Sequence, residues 1–185
     1  MSACPPPSTE LLHEGKWLRL VKRGRWEWCE RTHSSEGLAV LVIAVTPDDE
    51  VLFVEQYREA LGAPAIEMPA GLVGDDFDDD TIERAAHREL IEETGWEPGR
   101  LDVLLSGPTT AGMSNERIVL VRARDLRRVG DGGGVGGEDI TVHAVPRAEV
   151  PAWLMHKHAQ GYELDLKLWA GLWMIDRNPD GSPAG

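Results

Sequence analysis

The stretch that decides how this chain reads is AGLVGDDFDDDTIERAAHRELIEETGW, residues 70–96. Its second half carries apolar residues at helical spacing and stops at Gly95, so a helix is expected over residues 81–94, with Ile82, Ala86 and Leu90 buried. At about 100° per residue, Glu93 lies about 40° round the wheel from Glu89, and Glu92 about 60° the other way. All three carboxylates share one side, along the edge of the buried face. Like charges at spacings of three and four repel by a few tenths of a kcal/mol, and a helix C-terminus already carries partial negative charge. A solvated charged face, with Arg88 paired to Glu92, is one account of the cluster. A hard cation such as Mg2+, which prefers carboxylate oxygen and completes its shell with substrate phosphates, is the other.

The run RELIEETGW, residues 88–96, resembles the end of the Nudix signature, a Gly, five residues, a Glu, seven residues, then R-E-U-x-E-E-x-G-U with U apolar. Those nine positions match in full. Upstream, Asp80 stands where the signature has Glu, and Gly74 has the nominal spacing of its glycine. Gly71, three residues earlier, ends the run EMPAG, residues 67–71, which looks like the family's lead-in from strand to loop. Gly71 is therefore read as the signature glycine and the loop GDDFDDD, residues 74–80, as holding a three-residue insertion.

The resemblance extends from about residue 17 to residue 173 and implies an α/β Nudix fold, a mixed β-sheet sandwiched between helices, with an N-terminal β-strand pair. It implies Mg2+-dependent hydrolysis, with Mn2+ as a substitute, of the pyrophosphate bond in a nucleoside diphosphate derivative. Glu89, Glu92 and Glu93, with the carbonyl of Ala70, would hold the metal. QYR at residues 56–58, followed by EMPAG, resembles the ADP-ribose pyrophosphatase branch, which makes Arg58 and Glu67 the expected substrate contacts. ADP-ribose, giving AMP and ribose 5-phosphate, is then the leading reaction. The branch's proline position, sixteen residues beyond Gly95, holds Ala111. This keeps GDP-mannose, NADH or another nucleotide sugar as alternatives, together with a noncatalytic nucleotide-sugar sensor.

The general base is left between three glutamates. TAGMSNE, residues 110–116, resembles the family's S-P-G-x-x-x-E loop and aligns Glu116 with its acid. GDGGGVGG, residues 130–137, reads as the clearest flexible loop and leads into Glu138, as a lid delivering a base would. Several family members carry a catalytic glutamate on this loop, often two residues earlier, where this chain has Gly136. Glu92 is the third candidate.

The rest of the sequence bounds these readings. At 185 residues, 42% hydrophobic, with seven Trp, the chain fits one folded domain. Its net charge of −13 disfavours nonspecific binding to nucleic acid or an anionic membrane. Cys4 and Cys29 make no disulfide framework, no apolar run reaches membrane-spanning length, and MSACPPPSTE has neither part of a signal peptide. A cytoplasmic protein is expected.

Residues 1–10 read as a loose Pro-rich tail, 11–36 as a strand pair turning at Arg23 and Gly24, 37–177 as the hydrolase domain and 178–185 as a second loose tail. By the resemblance, the strand pair swaps across a homodimer. Trp26 and Trp28 share one face of it, either packed on a sheet or partner or, in the case of Trp28, stacked on a nucleobase. Residues 38–45, LAVLVIAV, read as a strand buried on both faces. Near the end, Leu166, Trp169, Leu172 and Trp173 form a stripe at helical spacing suited to a core or a dimer interface, and His156 and His158 lack partners at zinc-ligand spacing.

Overall fold

A computed structural model describes residues 8–32, 37–74 and 80–184. Most of the tail over residues 1–10, with Cys4, and most of the acidic loop after Gly74 lie outside them. In chain order the first strands are β1 (Glu10–Glu14), β2 (Leu18–Arg23), β3 (Trp26–Arg31), β4 (Leu38–Ala44), β5 (Glu50–Arg58), β6 (Ala63–Glu67) and β7 (Ala70–Leu72). Helix α1 (Ile82–Thr94) follows, then β8 (Trp96–Glu97), β9 (Arg100–Pro108), β10 (Arg117–Arg124), β11 (Arg127–Arg128) and β12 (Thr141–Pro146). The chain ends on α2 (Val150–Ala159), β13 (Glu163–Leu164) and α3 (Lys167–Trp173).

Strand β4 is the centre. Its residues 39–44 are all buried, and alternate side chains serve two cores. Val40, Val42 and Ala44 meet Ala85, Ala86 and Leu90 of α1, whereas Leu41 and Ile43 meet Phe53, Leu154 and Leu168. A strand covered on both sides needs a near-continuous apolar run, which LAVLVIA supplies. The first sheet has the order β7, β4, β10, β9, with β10 parallel to β4 and the other pairs antiparallel. The second has the order β12, β5, β6, β13. This is the expected mixed α/β architecture, with sheets between helices.

One local expectation changes: the N-terminal pair, β2 with β3, gains a third antiparallel strand, because β1 pairs with β2 over residues read as loose or unassigned. In the last helix Leu168 and Gly171 are buried and Leu172 packs in part on the core, whereas Leu166, Trp169 and Trp173 of the apolar stripe are exposed, which leaves them to an interface rather than the core. At Gly171 a Cβ would lie 2.2 Å from the Met68 sulfur. Only a residue without a side chain lets this short helix come so close to the core.

Candidate active site

Helix α1 is fixed at both ends before it presents any carboxylate. At its start the Thr81 side chain accepts the Arg84 N–H at 3.2 Å, and at its end Gly95 takes the left-handed conformation at φ 74°. Glu93 is 4% exposed, and its Oε2 accepts the backbone N–H of Ala70 at 3.0 Å. A Cβ on Gly71 would lie 2.0 Å from the carboxyl carbon of Glu89. Gly71, not Gly74, is thus the glycine against which the helix closes, in keeping with an insertion in the acidic loop. Arg88 donates to Glu89 Oε1 at 2.6 Å and to the Leu72 carbonyl at 3.3 Å, and it reaches Asp80 at 3.4 Å. It ties the helix to β7 from within the helix's own acidic edge.

Burial pushes Glu93 up to about 8, opposed by the Ala70 N–H and reinforced by the charges of Glu89, Glu138 and Glu67. Burial also raises Glu89, against the pull of Arg88 and with the push of Glu92 and Glu138. The negative charge assembled here exceeds the local positive charge, which is the electrostatic setting a hard cation relieves. Among the described residues no group of three or more His, Cys, Asp or Glu side chains is placed to hold a metal ion by itself.

Strands β5 and β6 bring the cationic wall. Arg58 donates Nε to Glu67 Oε1 at 3.1 Å and pairs through Nη2 with Glu67 Oε2, and Gln56 donates to the same carboxylate at 3.3 Å. Burial lowers the Arg58 pKa, but the bond to Glu67 outweighs it, with further support from the charges of Glu93 and Asp165, so the group stands above its ordinary value. Arg58, Glu67 and Glu93 therefore lie within electrostatic reach of one another.

The glycine-rich segment after β11 is not a free loop. Val129 and Gly130 donate to Gly95 O at 2.8 and 3.1 Å, Gly133 to Glu93 O at 2.9 Å and Gly134 to Glu92 O at 3.0 Å. The helix's last carbonyls need donors, and glycines bring backbone N–H groups to them without side chains in the way. At Gly132 a Cβ would meet Glu93 O at 2.5 Å. The same segment delivers Glu138, whose Oε2 accepts the Val135 N–H at 3.1 Å and whose charge acts on Glu89 and Glu93.

Structure thus gathers Arg58, Glu67, Ala70, Glu89, Glu92, Glu93 and Glu138 in one region. Glu116 and Trp28 belong instead with the N-terminal sheet. Glu116 accepts Arg31 Nε at 2.9 Å, Cys29 N–H donates to Met113 O at 2.8 Å, and Trp28 donates Nε1 to Glu30 at 2.8 Å beneath the Arg23 guanidinium. Sequence reasoning missed Gln56 as a brace for Glu67, although it stands inside the QYR run. It also missed Gly133 and Gly134 as helix-capping residues, since nothing in a run of glycines names the carbonyls waiting for it.

A family model for the NUDIX domain matches residues 36–164. The chain is similar to the ADP-ribose pyrophosphatase of Saccharomyces cerevisiae, 32% identical over 83% of this chain and 74% of that protein. It is also similar to the methanol dehydrogenase activator of Bacillus methanolicus, 36% identical over 55% of this chain and 53% of that protein. It spans about half the length of several curated relatives it matches. In structure it resembles an ADP compounds hydrolase with a TM-score of 0.65 at 16% identity, over 87% of this chain and 97% of that one. With the matched segment covering well over half of the sequence, the chain belongs to the Nudix family.

Proposed function

We propose that the protein is a magnesium-dependent pyrophosphohydrolase acting on a nucleoside diphosphate derivative, with ADP-ribose and water giving AMP and ribose 5-phosphate. The observation that carries this reading is the convergence of Glu89 and Glu93, both raised by burial and by neighbouring carboxylates, with Glu67, Glu138 and Arg58. Glu89, Glu92 and Glu93, with Ala70, are the groups that would hold Mg2+ or Mn2+. When bound, the ion neutralises the diphosphate and stabilises the phosphate that leaves.

The protein's own groups divide the remaining work. Glu138, on the segment that caps α1, takes the proton of the attacking water as its oxygen bonds to phosphorus and the bridging P–O bond breaks. It is preferred over Glu116, whose carboxylate is engaged by Arg31, and over Glu92, which lies 3.6 Å from Arg88. Arg58, anchored by Glu67, offers its remaining N–H groups to phosphate or ribose oxygens. Arg88 positions α1 and does not touch substrate. The yeast relative supports ADP-ribose as the substrate. A homodimer through the N-terminal sheet and a cytoplasmic setting complete the proposal.

Phosphate release, coupled to a phosphatase, tests it on ADP-ribose, GDP-mannose and NADH with and without Mg2+. Turnover of ADP-ribose well above the others, dependent on Mg2+, is expected. Binding of nucleotide sugars without cleavage of any compound would instead make the protein a sensor.

A further inference from the structure

On the face of the first sheet turned away from α1, three arginines crowd one carboxylate. Arg122 pairs with Ile43 in the strand register and extends toward α3 and the segment that follows it. Its Nη1 donates to the carbonyls of Met174 and Arg177 at 3.0 and 3.1 Å, and its Nη2 to Asn178 Oδ1 at 3.0 Å. Its Nε, in a residue only 5% exposed, has no partner among the described residues. Asp102 is approached by Arg100 at 2.7 Å, by Arg124 at 2.8 Å and by Arg122 at 3.6 Å. Three guanidinium groups against one carboxylate leave a local surplus of positive charge in a chain of net charge −13. Beside them opens a cavity of about 390 Å3, lined also by Val103, Leu104 and Pro179.

We propose that this cavity binds a small phosphate monoester, held by Arg100, Arg122 and Arg124 at a place separate from the α1 carboxylates. Planar guanidinium forks match the spacing of phosphate oxygens. Val103 and Leu104 give the organic part of the ester an apolar floor. Burial, joined by the charges of Arg124 and Arg100, lowers the Arg122 pKa against the pull of Asp102. Both products of the proposed hydrolysis belong to this chemical class, but the site stands without that reading.

Titration calorimetry on the whole chain, in EDTA at constant ionic strength, tests the site with AMP and, separately, inorganic phosphate. Saturable binding of AMP is expected, with inorganic phosphate binding more weakly for want of the apolar contact. Arg100→Gln and Arg124→Gln should each weaken AMP at least about tenfold. Asp102→Asn, which removes the competing carboxylate, should tighten it about threefold, a gain that no unfolded variant can mimic. Glu93→Gln should bind AMP as the parent does. Absence of saturable AMP binding overturns the proposal. So does AMP binding that the arginine and Asp102 variants leave unchanged, or that Glu93→Gln abolishes.

Discussion

Glu93 carries the sharpest consequence at the scale of single residues. Its folded-state pKa of about 8 stands above the ordinary 4.5, so in the metal-free protein folding favours the protonated acid. The stabilisation from that proton is full below about 4.5 and is lost as pH rises through about 8. Melting curves in EDTA from pH 5 to 9 should therefore show Tm falling as pH rises. In Glu93→Gln, which keeps the hydrogen-bonding shape and cannot ionise, the fall should flatten and Tm at pH 9 should exceed that of the parent. The same variant should lose at least about 100-fold in turnover with Mg2+. Higher stability joined to lower activity is the signature of a residue kept for function. A parent-like pH profile in the variant would remove Glu93 as the source of the strain.

Among elements, α1 was legible and its surroundings were not. Its apolar spacing, its Thr81 and its Gly95 are local facts, so sequence alone bounded the helix to within a residue. Strand β7 has three residues and no periodicity to read, and the N–H of Ala70 that meets Glu93 belongs to a contact 23 positions apart. The pairing of Glu116 with Arg31 spans 85 positions and was beyond any local pattern. Residues 130–137 misled for another reason: glycine signals conformational freedom, and the structure uses that freedom for close approach. Gly134, at φ 84°, would put a Cβ 2.7 Å from the Glu138 side chain. Gly134→Ala should cost about 1–3 kcal/mol through backbone strain and displace Glu138, lowering kcat about tenfold with KM near that of the parent. Gly136→Ala, at φ 65° with nothing near its Cβ, is the control, with a comparable loss of Tm and unchanged kcat. Equal kinetics in the two variants would separate Glu138 from the chemistry.

The whole molecule divides into a two-core body and an N-terminal sheet whose β3 meets it at Cys29 and Arg31, against Met113 and Glu116. The body's outline followed from the sequence, because a strand as apolar as β4 demands cover on both sides. The attached sheet is different. Leu11, Trp17 and Trp26 are 55%, 58% and 62% exposed, apolar surface that a partner could cover. With the proposed dimer through this sheet, sedimentation should give twice the chain's 20.4 kDa, and Trp26→Glu should shift it toward monomer. A monomeric parent would dismiss that arrangement. Among the described residues no helix is long and apolar enough to cross a membrane.

The glycine-rich segment that closes α1 also sets where the chain can open. Gly133 and Gly134 are bonded to the carbonyls of Glu93 and Glu92, whereas Gly136 and Gly137 are exposed beyond them. In deuterium exchange, the first two amides should be protected together with the helix and the last two should exchange like open chain. Glu138 is then carried on a short tether whose root is as stable as the helix it caps, and its swing is confined to the residues past Gly134.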